Sequence, residues 1–202
     1  MAVITRYCHI RQQTLRANGQ LVFKGAGGSL DEFSESALLH LGMQYPKFYK
    51  MDRTSKLGLL SVEVLLRNTD VARRNPDSIA VVLSNAHASL DTDRRYFETT
   101  KAIASPALFV YTLTNIVTGE ICIRHGFKGE NAFFVTSQFE PGTMADYVNN
   151  VMQKDSTSTC VAGWVDVLGE QHDVFLYLVE KSKGQSEAWP HDAETIEKLY
   201  LS

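Results

Sequence analysis

The chain has no dominant charge: its 202 residues carry 20 Lys and Arg against 23 Asp and Glu, a formal net charge of −3. No run of Lys or Arg is longer than two residues. The basic footprint of a nucleic-acid binder is therefore missing, and a small molecule or another protein is the better partner class. Long apolar runs are missing too, and none approaches the roughly 20 residues needed to cross a bilayer, so no membrane span is expected. The N-terminus, Met1-Ala2-Val3-Ile4-Thr5-Arg6, lacks the basic, apolar and small-residue regions of a secretion signal, so a cytoplasmic location is expected. Cysteine is scarce. Cys8, Cys122 and Cys160 are odd in number and match no zinc or disulfide spacing, so they read as reduced, mostly buried small hydrophobes. Cys122 falls in an apolar helix-like run and Cys160 in a strand-like one, where a thiol is usually inert. Neither a metal nor a cofactor is expected.

What is present is ordinary globular material, with 44% apolar and 21% charged residues, enough to bury a sizeable core. Residues 3–24 alternate loosely around Asn18-Gly19, which predicts an N-terminal hairpin. Gly25 to Gly28 form a loop, and Ser29 to Leu41 suggest a short helix or capping turn. A clearer helix opens at Asp52, with Leu57, Leu60, Val64 and Leu65 at helical spacing. Ile79 to Ser84 is a continuous, β-branched apolar run, as in a strand buried on both faces. Ser89 or Asp91 can cap a helix running to Lys101, Ser105-Pro106 marks a break, and Asn115 to His125 reads as a helix closed by Gly126. Residues 132–136 form the next strand. Thr143 with Asp146 resembles a capping box, and Met144, Tyr147, Val148, Val151 and Met152 define an amphipathic helix. Strands at 159–167 and 173–180 flank a turn at 169–172, a polar linker covers 181–187, and a terminal helix starts at Asp192.

Several segments carry a resemblance when taken in order. Met51-Asp52-Arg53-Thr54-Ser55-Lys56-Leu57 is similar to an Asp-Arg-x-Ser segment that opens an early helix. Ser105-Pro106, followed by Asn115 and Gly119, is similar to a Ser-Pro then Asn-x-x-x-Gly stretch. Lys128-Gly129-Glu130-Asn131 precedes the 132–136 strand, and Val161 to Leu168 and Asp173 to Glu180 stand where two later strands belong. Each motif alone is weak, but together they resemble the N-terminal half of the β-ketoacyl synthases of the thiolase-like superfamily. The resemblance implies an α/β thiolase-like half-domain spanning 1–202 as a single domain, with a mixed, mostly parallel sheet flanked by helices.

The departures from that family bear on function. In condensing members the strand runs into Thr-Ala-Cys, with the cysteine at a helix N-terminus that lowers its pKa. Here the stretch is Val135-Thr136-Ser137-Gln138-Phe139, so the resemblance puts Gln138 in the nucleophile position, where a carboxamide cannot form a thioester. The two histidines of the family's second half have no counterpart: His87, His125, His172 and His191 match none of its motifs. The expectation is a catalytically incomplete, non-catalytic partner or remnant in fatty-acid, polyketide or aryl-polyene biosynthesis, meeting an acyl carrier protein or a full-length ketosynthase. Two other readings stay open. One is a decarboxylase of malonyl groups on carrier protein, completed by a partner subunit; the other is an interaction module that homodimerises through strand 132–136.

Each site residue also has a plainer reading. Gln138 either recognises an acyl or malonyl group or belongs to a decayed site that caps or packs. Phe109, Phe133, Phe134 and Phe139 either line an acyl tunnel or dimer contact or fill the core. Arg94 and Arg95 either receive a carrier protein or lie on a solvated helix face. His87, just past the 79–84 strand, is either a ligand contact or structural. One test needs only the architecture. In a whole synthase the helix after the nucleophile is a middle layer, apolar all round, whereas Asp146, Asn149, Asn150, Gln153 and Lys154 give this one a polar stripe that should meet water or a polar partner.

Overall fold

The computed structural model describes residues 1–182 and 188–202, so most of the 181–187 linker lies outside the described residues. Among the described residues eight strands form one sheet: β1 (Ala2–Arg11), β2 (Thr14–Ala17), β3 (Gln20–Lys24), β4 (Ile79–Asn85), β5 (Asn131–Val135), β6 (Thr159–Leu168), β7 (Gln171–Lys181) and β8 (Trp189–Pro190). Their order is β3-β2-β1-β7-β6-β4-β5, with β8 also paired to β1. The helices are α1 (Leu30–His40), α2 (Arg53–Leu66), α3 (Leu90–Thr100), α4 (Pro106–Phe109), α5 (Ile116–His125), α6 (Pro141–Gln153) and α7 (Ala193–Leu201).

The mixed α/β sheet flanked by helices agrees with the sequence, but the balance of strand directions differs. Parallel pairing is confined to β4 with β5 and with β6, and the other pairings are antiparallel. The cause is connection length. Helical crossovers separate β4, β5 and β6, whereas tight turns join β1 to β2, β2 to β3 and β6 to β7, and a tight turn reverses the chain. Asn18-Gly19 does make a turn, between β2 and β3, with φ of 48° and 77°. The predicted single hairpin becomes three strands because Gln12 and Gln13, with φ of 48° and 52°, make a second turn without the usual Asn or Gly.

Two apolar cores lie on opposite faces of the sheet. One holds Leu30, Phe33 and Leu38 of α1, Leu57, Leu60 and Leu65 of α2, and Val117 and Ile121 of α5, against Val81, Val161 and Leu176 of the strands. The other holds Met144, Val148 and Val151 of α6 and Ile196 and Leu199 of α7, against Ala80, Val82 and Tyr177. Every residue of β4 is buried, as a strand covered on both faces requires. Capping fixes three helix starts. Ser29 and Glu32 form a capping box on α1, Asp52 accepts from the Thr54 and Ser55 amides, and Asp192 caps α7.

The expected Thr143–Asp146 box is not formed. Pro141 opens α6, two residues before Thr143, where its fixed φ and missing amide hydrogen suit the first helical position. Thr143 is therefore already helical, and its hydroxyl donates to Glu140 Oε2 at 2.9 Å. The polar stripe on α6 does meet solvent: Asp146, Asn150, Gln153 and Lys154 are exposed and Asn149 is half-buried.

Candidate functional site at the ends of the parallel strands

β4 lies between β5 and β6 and is parallel to both. The chain leaving β4 reaches α5 on one face of the sheet, and the chain leaving β5 enters α6 on the other. Loops that diverge in this way from neighbouring parallel strands leave a crevice at their carboxyl ends, where open α/β sheets place ligands. Residues 85–89 and 136–140 form its two sides. They leave the sheet side by side, since Asn85 pairs with Val135 and the Thr136 amide donates to the Asn85 carbonyl at 3.0 Å.

On the β4 side, Asn85 clamps its own turn. Its Nδ2 donates to the Ala88 carbonyl at 2.9 Å and its Oδ1 accepts from the Ala88 amide at 3.0 Å, which holds Ala88 at φ 48°. Asp166, near the end of β6, completes the arrangement. Its Oδ1 accepts from the Ala86 and His87 amides, both at 3.0 Å, and its Oδ2 lies 2.8 Å from His87 Nδ1. A neutral His87 that donates Nδ1–H to this carboxylate keeps a lone pair on Nε2. The imidazole is 36% exposed. The partner of His87 is 79 residues away in sequence, brought close by the β4–β6 register, and no local spacing signals it.

The β5 side carries Gln138 and a small hollow. Gln138 is exposed and precedes the α6 N-cap residue, Glu140, so it stands in the turn ahead of the helix. Its carbonyl accepts from Thr136 Oγ1 at 2.7 Å. The hollow bounded by Ser84, Phe134, Thr136, Glu140, Thr143 and Met144 measures about 10 Å³, room for roughly one water. Of the aromatic residues singled out in the sequence, Phe134 borders it, while Phe109, Phe133 and Phe139 do not. Phe139 is buried in the α6 core with its ring 5.6 Å from Phe175 and 4.8 Å from Tyr200. Phe134 meets Tyr147 edge-on at 5.0 Å, and Phe133 packs toward the opposite core.

Phe109 behaves differently. It is 59% exposed, and its ring lies 5.4 Å from Tyr96. Phe97, Ile103, Val110 and Leu113, on α3 or in the segments on either side of α4, are also exposed. Arg94 and Arg95 are exposed on α3 and have no hydrogen bond or ion pair among the described residues. Among the described residues β5 pairs with β4 alone and ends the sheet, and its last residue, Val135, is 53% exposed. The cysteines match their sequence reading. Cys8 and Cys160 are buried and Cys122 is half-buried, and burial pushes the Cys8 thiol up to about 12.

This fold is shared with solved structures of ketosynthase and chain length factor proteins. The ishigamide ketosynthase/chain length factor matches with a TM-score of 0.64 at 16% identity, over 92% of this chain and 63% of that one. AntDE:AntF, a type II polyketide synthase acyl-carrier protein in complex with its ketosynthase bound to the hexaketide, matches at 0.59 and 13% identity, over 90% and 62%. A chain of the ketosynthase ApeO in complex with its chain length factor ApeC, from Xenorhabdus doucetiae, matches at 0.56 and 14% identity, over 100% of this chain and 91% of that one. The chain thus spans a little under two thirds of the first two structures. No family model matches it, and no curated protein matches it.

Proposed function

We propose that the chain is a catalytically incomplete ketosynthase-like subunit that docks on a full-length ketosynthase in a polyketide, fatty-acid or aryl-polyene pathway. The observation that carries this reading is the exposure of five large apolar side chains within one stretch of 17 residues, Phe97, Ile103, Phe109, Val110 and Leu113. Exposed apolar surface in such a concentration marks an interaction site, and the open β5 edge adds unpaired backbone groups for a partner strand. Gln138 cannot form a thioester, which supports a non-catalytic role. Arg94 and Arg95, shortly before Phe97 on α3, suit an acidic carrier protein meeting the assembled pair.

Size exclusion with light scattering, on the chain alone and mixed with candidate synthases, tests the reading. A one-to-one complex is expected, with hydrogen exchange slowed in residues 97–113 and in β5. The second reading, a malonyl decarboxylase, predicts carbon dioxide release from malonyl-loaded carrier protein. Release by the isolated chain would overturn the non-catalytic assignment. A stable homodimer that excludes every synthase would replace the partner reading with the self-associating module.

A further inference from the structure

The strand-end crevice holds a ring nitrogen that is fixed in place and open to solvent. The amide of His87 donates to Asp166 Oδ1 at 3.0 Å, and its Nδ1 lies 2.8 Å from Asp166 Oδ2. The next residue, Ala88, is clamped by Asn85 at φ 48°. A non-glycine residue at positive φ persists only where its surroundings impose it, and such positions gather at functional sites. Asp166 has no Lys or Arg partner among the described residues; its neighbour across the β6–β7 register, Asp173, takes Arg11 at 2.6 Å instead. A carboxylate only accepts hydrogen bonds, so Nδ1 of the neutral ring carries the hydrogen and Nε2 the lone pair. That Nε2 has no hydrogen-bond partner among the described residues, and it is not buried as the Nε2 atoms of His9, His125 and His191 are.

The facing turn offers the opposite chemistry. Ser137 and Gln138 are exposed, and their amides donate to nothing among the described residues, which suits the carbonyl oxygen of a substrate. Residues 84–93, 135–146 and 163–168 contain no Lys or Arg, whereas Asp93, Glu140 and Asp166 are acidic, so an anion is repelled. The adjoining hollow of about 10 Å³ leaves no tunnel for a long acyl chain. No hydroxyl or thiol of the chain bonds to Nε2, so a base there has only water to activate. A single general base contributes about 10²–10⁴-fold. That is modest, and it suits a bond whose leaving group is a thiol with a pKa near about 8.5.

We propose that His87, held by Asp166, is the general base of a hydrolytic site for small uncharged acyl thioesters. Water gives a proton to Nε2 as its oxygen bonds to the carbonyl carbon. The carbon–sulfur bond then breaks and the sulfur takes that proton back from Nε2, leaving a carboxylic acid and a thiol. His87 is the catalytic residue and Asp166 positions it. Condensation needs a nucleophile on the chain, whereas this reaction draws its own from solvent. The site is therefore independent of the Gln138 side chain and of any synthase partner.

The test incubates the whole chain with S-acetyl-N-acetylcysteamine, which is uncharged, and with acetyl-coenzyme A, which carries phosphates, and follows thiol release with a chromogenic disulfide. Release from the uncharged thioester is expected at about 10²-fold or more above the buffer rate, and faster than from the coenzyme A ester. His87→Gln, at a half-exposed position, should return the rate to that of buffer. Asp166→Asn is the sharper variant. Its Oδ1 still accepts from both amides, but its Nδ2–H now meets Nδ1, which moves the ring hydrogen to Nε2 and removes the lone pair. Release should fall by about tenfold or more with the circular dichroism spectrum unchanged. Nitrogen-15 NMR of the neutral ring should place the hydrogen on Nδ1 in the wild type and on Nε2 in Asp166→Asn, a difference that a merely structural role does not produce. Thiol release at the buffer rate, release that His87→Gln leaves intact, preference for the coenzyme A ester, or a hydrogen on Nε2 in the neutral wild-type ring overturns the proposal.

Discussion

Two phenylalanines that share one sequence description should respond oppositely to the same substitution. Phe139 is 6% exposed, and its ring meets Trp164 at 6.0 Å, Phe175 at 5.6 Å and Tyr200 at 4.8 Å. Those neighbours sit on two strands and a helix and cannot all close over a missing ring, so Phe139→Ala leaves a cavity as well as losing buried area. The expected cost is about 3–5 kcal/mol. With a urea slope of about 2 kcal/mol/M, the midpoint falls by about 1.5–2.5 M. Trp164, beside the deleted ring, reports the transition by fluorescence. Phe109, mostly exposed, should lose no more than about 0.5 kcal/mol on the same change. It should instead weaken association with a synthase by about tenfold or more, the loss typical of a central aromatic anchor. If Phe139→Ala costs less than about 1 kcal/mol, its ring faces open space and the tunnel reading returns. If Phe109→Ala leaves association unchanged, these exposed residues are not the contact.

Other expectations are equally concrete. Burial, ahead of the Asp91 charge, raises the Asp52 carboxyl from 3.8 to about 6. Between about pH 4 and 6 the folded chain therefore holds a proton that the unfolded chain has released, and stability falls as pH rises through that window, by about 2–3 kcal/mol in all. Asp52→Asn keeps a competent helix cap and should flatten the slope of urea midpoint against pH; an unchanged slope would mean the carboxyl titrates normally. Gly163 sits at φ 140°, and an added Cβ would collide with the Phe175 carbonyl oxygen, so Gly163→Ala should cost more than about 3 kcal/mol and be recovered mainly as aggregate. Gln138→Cys should place an ordinary exposed thiol in the turn, with iodoacetamide reactivity rising around the usual cysteine pKa of about 8.5 and no acyl transfer from a loaded carrier protein; acyl loading at that position would show that the crevice still supports the family chemistry.

Local signals made most elements legible. Ser29, Asp52, Gly126 and Asp192 each mark a helix boundary by a mechanism that acts within four residues. Apolar periodicity located α2, β4 and the buried face of α6. What escaped was either weakly encoded or long-range. The Gln12–Gln13 turn uses residues that seldom take positive φ, and α4 is a single turn behind Ser105, which caps Leu108. In α6 the spacing of Thr143 and Asp146 imitated a cap while Pro141 set the start. The candidate site was the least legible part. His87 and Asp166 meet only through strand register. A sequence shows the residue types of such a pair but not their coincidence.

The distribution of polar and apolar surface also limits how a partner can approach. The buried side of α6 is already occupied: Ile196 and Leu199 of α7 join its core, and His191 Nδ1 lies 2.9 Å from Asn149 Oδ1, tying the segment before α7 to the helix. The outer side carries Asp146, Asn150, Gln153 and Lys154 in water, and dehydrating such groups without new hydrogen bonds costs a few kcal/mol each. Covering α6 with another domain would therefore oppose association. Phe97, Ile103, Phe109, Val110 and Leu113 and the end of β5 carry the reverse balance, apolar side chains and free strand hydrogen bonds whose burial is favourable. A partner that docks productively is thus directed away from α6, whose outer face stays in water beside α7, and toward these apolar residues and the β5 edge.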